Sequence, residues 1–370
     1  MSDNNISTDR LIKIFLDLAQ IDGVCEQEKE VANYIVCFLN NLGLSPYEDN
    51  VKKYSGGNSG NIVCPIGTGG DRVLLSHMDT ARSTKNMSYT IQNGIIRSDG
   101  TTVLGVDNRA GIAILLYAVE FAFQNKLSLR DSTLVFTICE ETTMAGSRYL
   151  SLNNGIKMGF VFDSAFSPGN FIHGTCGIVN FTVTVNGKAS HSGLNPEKGI
   201  NAIQIAAKAL SRISVGRVDE QTIINIGTIQ GGNGTNVVPD KTQVRGEIRS
   251  MNMQAVEDRL SIINKSFEIE AETAGGSIDM EYDWGFKPFF VGENQPTYRE
   301  AVRALEKVQI SVHPVIAWSG SDANYLNQKN IPSINFGIGA RNPHSNDEYI
   351  KINDLVKSTE IALQLITNTL

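Results

Sequence analysis

Apolar residues in the first third of the chain alternate between helical and strand spacing. A Ser7/Thr8/Asp9 cap leads into the helical pattern LIKIFLDLAQI, and a second helical pattern runs from about Glu26 to Leu42. Strand patterns follow in NIVCPI and RVLLSHMDT, then a helix that opens near Asp107, then strands in STLVFTICEE and GFVFDS. Strands that alternate with helices predict a mostly parallel sheet.

The pattern changes after the segment HGTCG. A half-exposed strand, IVNFTVTVNGK, precedes the helix GINAIQIAAKALSRI, strands around TIINIGTI and TQVRGEIRS, a helix near residues 254–273 and the strand SIDMEYDW. This β-α-β-β-α-β order is that of a ferredoxin-like unit. The α/β pattern then resumes in QPTYREAVRALEKV and IPSINFGI. We predict an α/β fold in which a larger domain with a mixed, mostly parallel sheet (residues 1–176 and 287–370) carries an inserted ferredoxin-like α+β lid domain (177–286).

Composition narrows the possible partners and location. A chain of 370 residues that is 41% hydrophobic can bury a large core. The net charge of −7, without a dense Lys/Arg cluster, indicates neither nucleic acid nor a membrane as a partner. The beginning, MSDNNISTDR, lacks a basic stretch followed by an apolar core, and no apolar run approaches membrane-spanning length. We expect a cytoplasmic protein.

The cysteines are odd in number and show no CxxC spacing, which suits reduced thiols. We expect none of them to serve as a zinc ligand. They are Cys25, Cys37, Cys64, Cys139 and Cys176.

Acids and histidines follow several of the apolar runs. His77 and Asp79 come two apart where the run of RVLLSHMDT ends, and residues i and i+2 of a strand share a face. Ligands bind beyond the carboxyl ends of strands in open α/β sheets, so these side chains could converge on one sheet edge. The full set is His77, Asp79, Asp107, Glu140, Glu141, Asp163 and His344.

Each member also has an ordinary explanation when taken alone. Asp107 is a natural helix N-cap, and His344 sits in a polar loop. Glu140 and Glu141 could be an exposed pair, and Asp163 part of a turn. Several carboxylates packed together without a cation would repel one another, and a divalent metal removes that penalty.

Two metals fit this set better than one, because Asp107 can bridge with both carboxylate oxygens. Mixed imidazole and carboxylate ligands suit two Zn²⁺, with Mn²⁺ or Co²⁺ as substitutes. Asp79 would then accept the second N–H of His77 and fix its tautomer. Glu140, which alternates away from Glu141 in a strand, would be free to act as general base on water.

Seen together, the motifs resemble the co-catalytic zinc peptidases of the peptidase T, aminoacylase and carboxypeptidase G family, especially peptidase T-type aminotripeptidases. They are, in order, SHMDT, GVDNRAG, CEET, FDS, SHSG, GTN and NPHSNDEYI. The resemblance covers nearly the whole chain. It implies that one zinc is held by His77, Asp107 and Asp163, and the other by Asp107, Glu141 and His344. Asp79 and Glu140 match the orienting aspartate and the catalytic glutamate.

The resemblance also implies roles for three residues of the inserted domain. His191 in ASHSG would stabilise the oxyanion, in some relatives from the neighbouring subunit. Asn236 and Arg249 would grip the carboxylate and backbone of the substrate, a task that suits the planar fork of arginine. Taken singly, His191 reads as an exposed loop histidine and Arg249 as a solvated charge. Exposed sheet edges in the lid favour a homodimer through that domain.

The resulting prediction is a metal-dependent exopeptidase that hydrolyses short peptides. Two alternatives remain: a deacylase or amidase of N-acyl amino acids, and a catalytically inactive metal-binding interaction protein. The deacylase needs the same centre, since substrate choice lies in rim residues whose geometry a sequence does not give. An inactive scaffold would have no use for a free base such as Glu140 beside a metal.

Overall fold

The computed structural model describes residues 6–368. Its α-helices are α1 (Thr8–Ala19), α2 (Lys29–Asn41), α3 (Lys52–Ser55), α4 (Val106–Gln124), α5 (Ala145–Tyr149), α6 (Ala202–Leu210), α7 (Met253–Ala274), α8 (Pro296–Lys307), α9 (Asp322–Gln328) and α10 (Ile352–Ile366). Its strands are β1 (Tyr47–Glu48), β2 (Ile62–Ile66), β3 (Arg72–His77), β4 (Tyr89–Gln92), β5 (Ile95–Ser98), β6 (Ser132–Thr137), β7 (Met158–Ser164), β8 (Asn170–Thr175), β9 (Gly177–Asn186), β10 (Ser190–His191), β11 (Gly216–Asp219), β12 (Thr222–Gly231), β13 (Val237–Val238), β14 (Lys241–Ser250), β15 (Ser277–Phe286), β16 (Phe289–Phe290), β17 (His313–Ala317), β18 (Ser333–Gly337) and β19 (Tyr349–Lys351).

The chain divides into two compact units. The first comprises the described residues up to Gly174, Phe290–Ala317 and the described residues from Ser321 onward. The second comprises Thr175–Phe289 and the short segment Trp318–Gly320. The second unit is therefore an insertion whose limits lie a few residues from 177 and 286.

A mixed sheet forms the centre of the first unit. Its order is β1-β2-β6-β3-β7-β18-β8-β16, with β17 paired to β8. The four strands β6, β3, β7 and β18 run parallel, while β1, β2 and β8 join antiparallel. The predicted α/β class with a mixed sheet is confirmed, and its parallel part is the central four strands. Their carboxyl ends share one edge.

Helix α4 is apolar on nearly all sides, and its surroundings explain why. Residues from Asn108 to Ala122 are buried. A helix without a polar face must be covered all round, and α1, α10 and β3 pack against α4. The predicted cap of α1 is present, since the Ser7 side chain accepts the N–H of Arg10. The first turn of α4 is thus held firmly at the edge where the parallel strands end.

The second unit has the predicted ferredoxin-like core. Its antiparallel sheet has the order β11-β12-β14-β9-β15, and α6 and α7 cover one face. Alternate residues of β9 are buried against these helices, and they are Val179, Phe181, Val183 and Val185. A short antiparallel pair of strands, β10 and β13, which are far apart in sequence, lies outside this sheet. Strands β11 and β15 are the sheet edges.

Within residues 6–368, no helix combines the length and the apolarity that crossing a bilayer requires. The expectation about an export signal concerns MSDNNISTDR, of which residues 1–5 lie outside the described part of the chain.

Candidate metal centre

The sheet brings three sequence segments with predicted ligands to one edge. Strand β3 ends at His77, which is in register with Thr137 at the end of β6. Asp163 is the next-to-last residue of the neighbouring strand β7, and Glu140 and Glu141 lie in the turn that follows β6. Because β6, β3 and β7 are adjacent and parallel, their ends open on the same side.

Two histidines meet one carboxylate from opposite sides. His77 Nε2 lies 3.1 Å from Asp107 Oδ1 and 3.1 Å from Asp163 Oδ1. His344 Nε2 lies 3.3 Å from Asp107 Oδ2 and 3.1 Å from Glu141 Oε2. Asp107 Oδ1 therefore faces the pair His77 and Asp163. Asp107 Oδ2 faces the pair His344 and Glu141. The structure brings together all five residues predicted as metal ligands.

These contacts match the spacing of ligands around a metal. Two ligand atoms about 2.1 Å from a tetrahedral Zn²⁺ stand about 3.4 Å apart, close to the observed imidazole–carboxylate distances. Donor atoms of His77, Asp107 and Glu141 all lie within 4.8 Å of one another. In addition, Glu141 Oε1 is buried and, among the described residues, has no hydrogen-bond partner. The donor set and this orphaned oxygen both fit a divalent cation.

The carboxylates of the cluster raise the pKa of both imidazoles. Hydrogen bonds to Asp107 and Glu141 raise the pKa of His344 to about 10. Burial opposes the charged form of His77, yet Asp163 and Asp107 raise its pKa well above the usual value. Metal binding requires neutral imidazole, so a cation would take the place of the second ring proton.

Asp79 holds the turn that carries the two glutamates. It is fully buried, its Oδ1 accepts the backbone N–H of Glu140 at 3.0 Å, and its Oδ2 accepts that of Glu141 at 3.0 Å. His77 Nδ1 lies 3.0 Å from the backbone oxygen of Asp79 and 3.3 Å from its Oδ1. One carboxylate thus fixes both the histidine ring and the turn.

The strand assignment of the glutamates is wrong. Strand β6 ends at Thr137, and Cys139 has a φ of +53°, so the chain leaves the strand before Glu140. The two glutamates therefore differ in direction because of this turn, and strand alternation is not the cause. Burial, together with the charges of Asp163 and Asp322, raises the pKa of Glu140 well above its usual range. That shift makes Glu140 a stronger proton acceptor than an ordinary glutamate.

Most of the ordinary explanations for these residues are also wrong. The backbone is non-helical at Asp107 and Asn108, and the side chain of Asn108, not that of Asp107, accepts the N–H of Gly111 at 3.1 Å where the regular part of α4 begins. The side chain of Glu141 is only 7% exposed, and Asp163 lies inside β7. His344 alone keeps a half-exposed side chain, at 51%.

Two positioning residues escaped the sequence analysis. Glu348, buried, accepts the backbone N–H of Gly105 at 2.7 Å and that of Asp107 at 3.1 Å. Asn335 donates to Asp163 Oδ2 at 3.3 Å and accepts the N–H of Ser164 at 2.9 Å. Glu348 stands four residues after His344 in the motif NPHSNDEYI, and this closeness to a predicted ligand could have identified it from the sequence. Asn335 lies within strand β18, and no sequence pattern marks it as part of the site.

The three predicted substrate-binding residues lie in the second unit. His191 is exposed on β10, and its Nδ1 accepts the N–H of Gly193 at 3.1 Å. Asn236 is exposed beside β13, and its backbone oxygen accepts the N–H of Ser192. Arg249 on β14 contacts Glu247 through Nε at 2.8 Å and donates through Nη1 to the carbonyl of Trp318 at 2.9 Å. The pairing of β10 with β13 brings His191 and Asn236 together, and Arg249 stands apart on the main sheet.

Comparison with known proteins supplies a family. A peptidase dimerisation domain of the M20 type matches residues 173–274. The uncharacterised protein YqjE of Bacillus subtilis (strain 168) is 30% identical over 365 residues, which is 98% of each chain. The crystal structure of aminopeptidase PepT from Bacillus cereus ATCC 10987 is also 30% identical, with a TM-score of 0.91 over 98% of each chain. The chain belongs to the M20 peptidase family.

Further M20 structures extend the likeness. A tripeptidase from Staphylococcus aureus subsp. aureus Mu50 is 29% identical, with a TM-score of 0.92 over 98% of each chain. The YXEP protein of Bacillus subtilis, described as a dinuclear metal-binding M20 peptidase, is 17% identical and has a TM-score of 0.74 over 97% of each chain, so it shares the fold. The predicted family membership is confirmed.

Proposed function

We propose that this M20 peptidase is a two-metal exopeptidase that removes residues from short peptides with a free amino terminus. One observation carries the proposal: each oxygen of Asp107 faces a separate imidazole, beside the buried, unpartnered oxygen of Glu141. His77, Asp107 and Asp163 would hold one Zn²⁺, and Asp107, Glu141 and His344 the other. Mn²⁺ and Co²⁺ would suit the same ligands.

When bound, the metals would supply Lewis-acid polarisation of the peptide carbonyl and acidify a water molecule. Glu140 would accept the proton of the attacking water and deliver it to the leaving amine. Asp79 would keep Glu140 in position, because it accepts the backbone N–H of that residue and of Glu141. Base and metal ligand would thereby keep a fixed spacing through the reaction.

The substrate contacts are proposed for residues of the inserted unit. His191, exposed on β10, would donate to the oxyanion, and Asn236 would bind substrate backbone. Arg249 would bind the substrate carboxylate. It is the weakest of the three, because Glu247 and the carbonyl of Trp318 already occupy three of its nitrogens.

The deciding experiment compares substrates. We expect the Zn²⁺-loaded protein to hydrolyse tripeptides with a free amino terminus faster than dipeptides, and much faster than N-acetylated tripeptides or N-acyl amino acids. Product amines are measured by chromatography, with a Glu140→Gln preparation as the control for contaminating peptidases. Faster turnover of the acyl compounds would identify the protein as a deacylase. If no amide is hydrolysed, the alternative of a catalytically inactive metal-binding interaction protein is favoured.

The proposal includes a homodimer formed through the inserted unit. The dimerisation-domain match, residues 173–274, falls almost entirely in that unit. The sheet of the unit ends in the strands β11 and β15, which pair on one side only among the described residues. We expect light scattering at micromolar concentration to give twice the mass of one chain. The mass of a single chain would refute the dimer and would require His191 to act on its own subunit's substrate.

A further inference from the structure

A second group of metal-type donors lies behind the catalytic turn. The thiols of Cys25 and Cys139 and the carboxylate of Glu28 each present an atom within 4.8 Å of the others. Glu28 and Cys139 are buried, and Cys25 is half-buried. We name these three residues the thiol cluster. None of them belongs to the centre built on Asp107.

The carboxylate of Glu28 faces the thiol of Cys139, and only one of its two oxygens has a hydrogen-bond partner among the described residues. Glu28 precedes α2 as its N-cap residue, and its exposed fraction is 0%. Its Oε1 accepts the backbone N–H of Cys139 at 2.9 Å and lies 3.4 Å from Cys139 Sγ. Its Oε2 is buried and has no hydrogen-bond partner among the described residues. A bound cation would give this oxygen a partner, which buried polar groups normally have.

The backbone of Cys139 is held in an uncommon conformation. Its φ of +53° falls in the left-handed region, where glycine and asparagine are the usual residues. A side chain is kept there in spite of the steric cost, and its sulfur faces Glu28. The sulfur of Cys25 lies 2.9 Å from the hydroxyl of Thr142, in the same turn. Two segments far apart in sequence are thus joined around one small volume.

We propose that Cys25, Glu28 and Cys139 form a separate binding site for one soft divalent cation, of the Zn²⁺ or Cd²⁺ type. Two sulfurs and one carboxylate select such ions over Mg²⁺ and Ca²⁺, which prefer oxygen. Three protein ligands leave a fourth tetrahedral position for solvent or for the hydroxyl of Thr142. The expectation that no cysteine binds zinc is revised accordingly.

Such a cation would brace the turn that carries the catalytic glutamate. Glu28 holds the amide of Cys139, and Asp79 holds the next two amides, those of Glu140 and Glu141. Three successive N–H groups therefore rest on two buried carboxylates. A metal on Glu28 would fix the first of these carboxylates and anchor Cys139 directly through its sulfur.

The test uses Co²⁺ as an optical probe of the full-length protein stripped of metal. Thiolate ligands give intense sulfur-to-cobalt charge-transfer absorption in the near ultraviolet, and imidazole or carboxylate ligands do not. We expect the absorbance at saturation to correspond to one thiolate-bound Co²⁺ per chain, while total bound Co²⁺ reaches three per chain because the centre built on Asp107 takes up the other two. Cys25→Ser should abolish the band and lower bound metal by one per chain, while Cys37→Ser, at an exposed thiol outside the cluster, should keep it.

Two further variants keep the test decisive. Asp107→Ala should retain the charge-transfer band, because it damages only the imidazole and carboxylate centre; the thiol site is thus judged without any assay of hydrolysis. Glu28→Gln should weaken binding without removing a sulfur. The absence of the band in the parent protein, or its survival in Cys25→Ser, would overturn the proposal. So would an intact mass two hydrogens lower, with Cys25 joined to Cys139, in protein purified under reductant.

Discussion

Glu140→Gln will lower the turnover of a tripeptide by about a hundred- to ten-thousand-fold while metal content stays normal, because that range is typical for removal of a positioned general base. The amide keeps the size of the side chain, and the backbone N–H of residue 140 remains on Asp79. Substrate affinity should change little. Steady-state kinetics beside metal analysis of the same preparation measures both quantities.

The neighbouring residue provides the matched control. Glu141→Gln should lower metal occupancy itself, since Glu141 Oε2 lies 3.1 Å from His344 and its other oxygen has no partner among the described residues. Added Zn²⁺ should restore part of the activity of Glu141→Gln and none of the activity of Glu140→Gln. Equal metal loss in the two variants, or near-normal turnover in Glu140→Gln, contradicts the division of roles.

Asp107→Ala will abolish both metal sites, whereas Asp163→Ala will abolish one. The reason is that, among the described acidic residues, Asp107 contacts both His77 and His344, whereas Asp163 contacts His77 and not His344. Each substitution is made in protein that also carries Cys25→Ser, and metal is measured by atomic absorption after dialysis against trace Zn²⁺. Asp107→Ala should then hold close to no metal per chain, and Asp163→Ala should hold one. Hydrolysis should be lost in Asp107→Ala. The Cys25→Ser background removes any contribution of the thiol cluster.

The control for this series is Asp99→Ala. Asp99 lies outside the metal centre, and its Oδ1 accepts the backbone N–H of Thr101. It should keep two metals and full turnover.

Prolonged chelation of the parent protein should abolish hydrolysis, and added Zn²⁺, Mn²⁺ or Co²⁺ should restore it. Full hydrolysis in a preparation shown to be metal-free would refute the two-metal proposal, as would equal metal contents in Asp107→Ala and Asp163→Ala.

The sequence predicted those features that local patterns encode. Apolar runs that stop at His77 and Asp163 identify strand ends, and parallel neighbours must open on a common edge. The alternation of β9 and the order of the following elements gave the inserted ferredoxin-like unit. The two-residue strands that hold His191 were not predicted, since such a short pairing has no period to detect.

Features built on distant contacts could not be predicted in this way. The turn at Glu140 depends on Asp79, 61 residues earlier, and nothing within STLVFTICEE marks its last residues as turn rather than strand. The support of Asp107 by Glu348 spans 241 residues. Likewise, the pairing of Glu28 with Cys139 spans 111 residues and joins two segments that show no motif when read separately.

The placement of Glu348 and His344 after the inserted unit has a consequence for synthesis. Domains form largely as the chain emerges, from the amino terminus onward. His77, Asp107, Glu141 and Asp163 leave the ribosome before the insertion, and His344 and Glu348 leave after it. An unfinished chain therefore lacks one of the predicted metal ligands and the carboxylate that braces Asp107. Under the proposed function, the metal centre is completed only after almost the whole chain has been made.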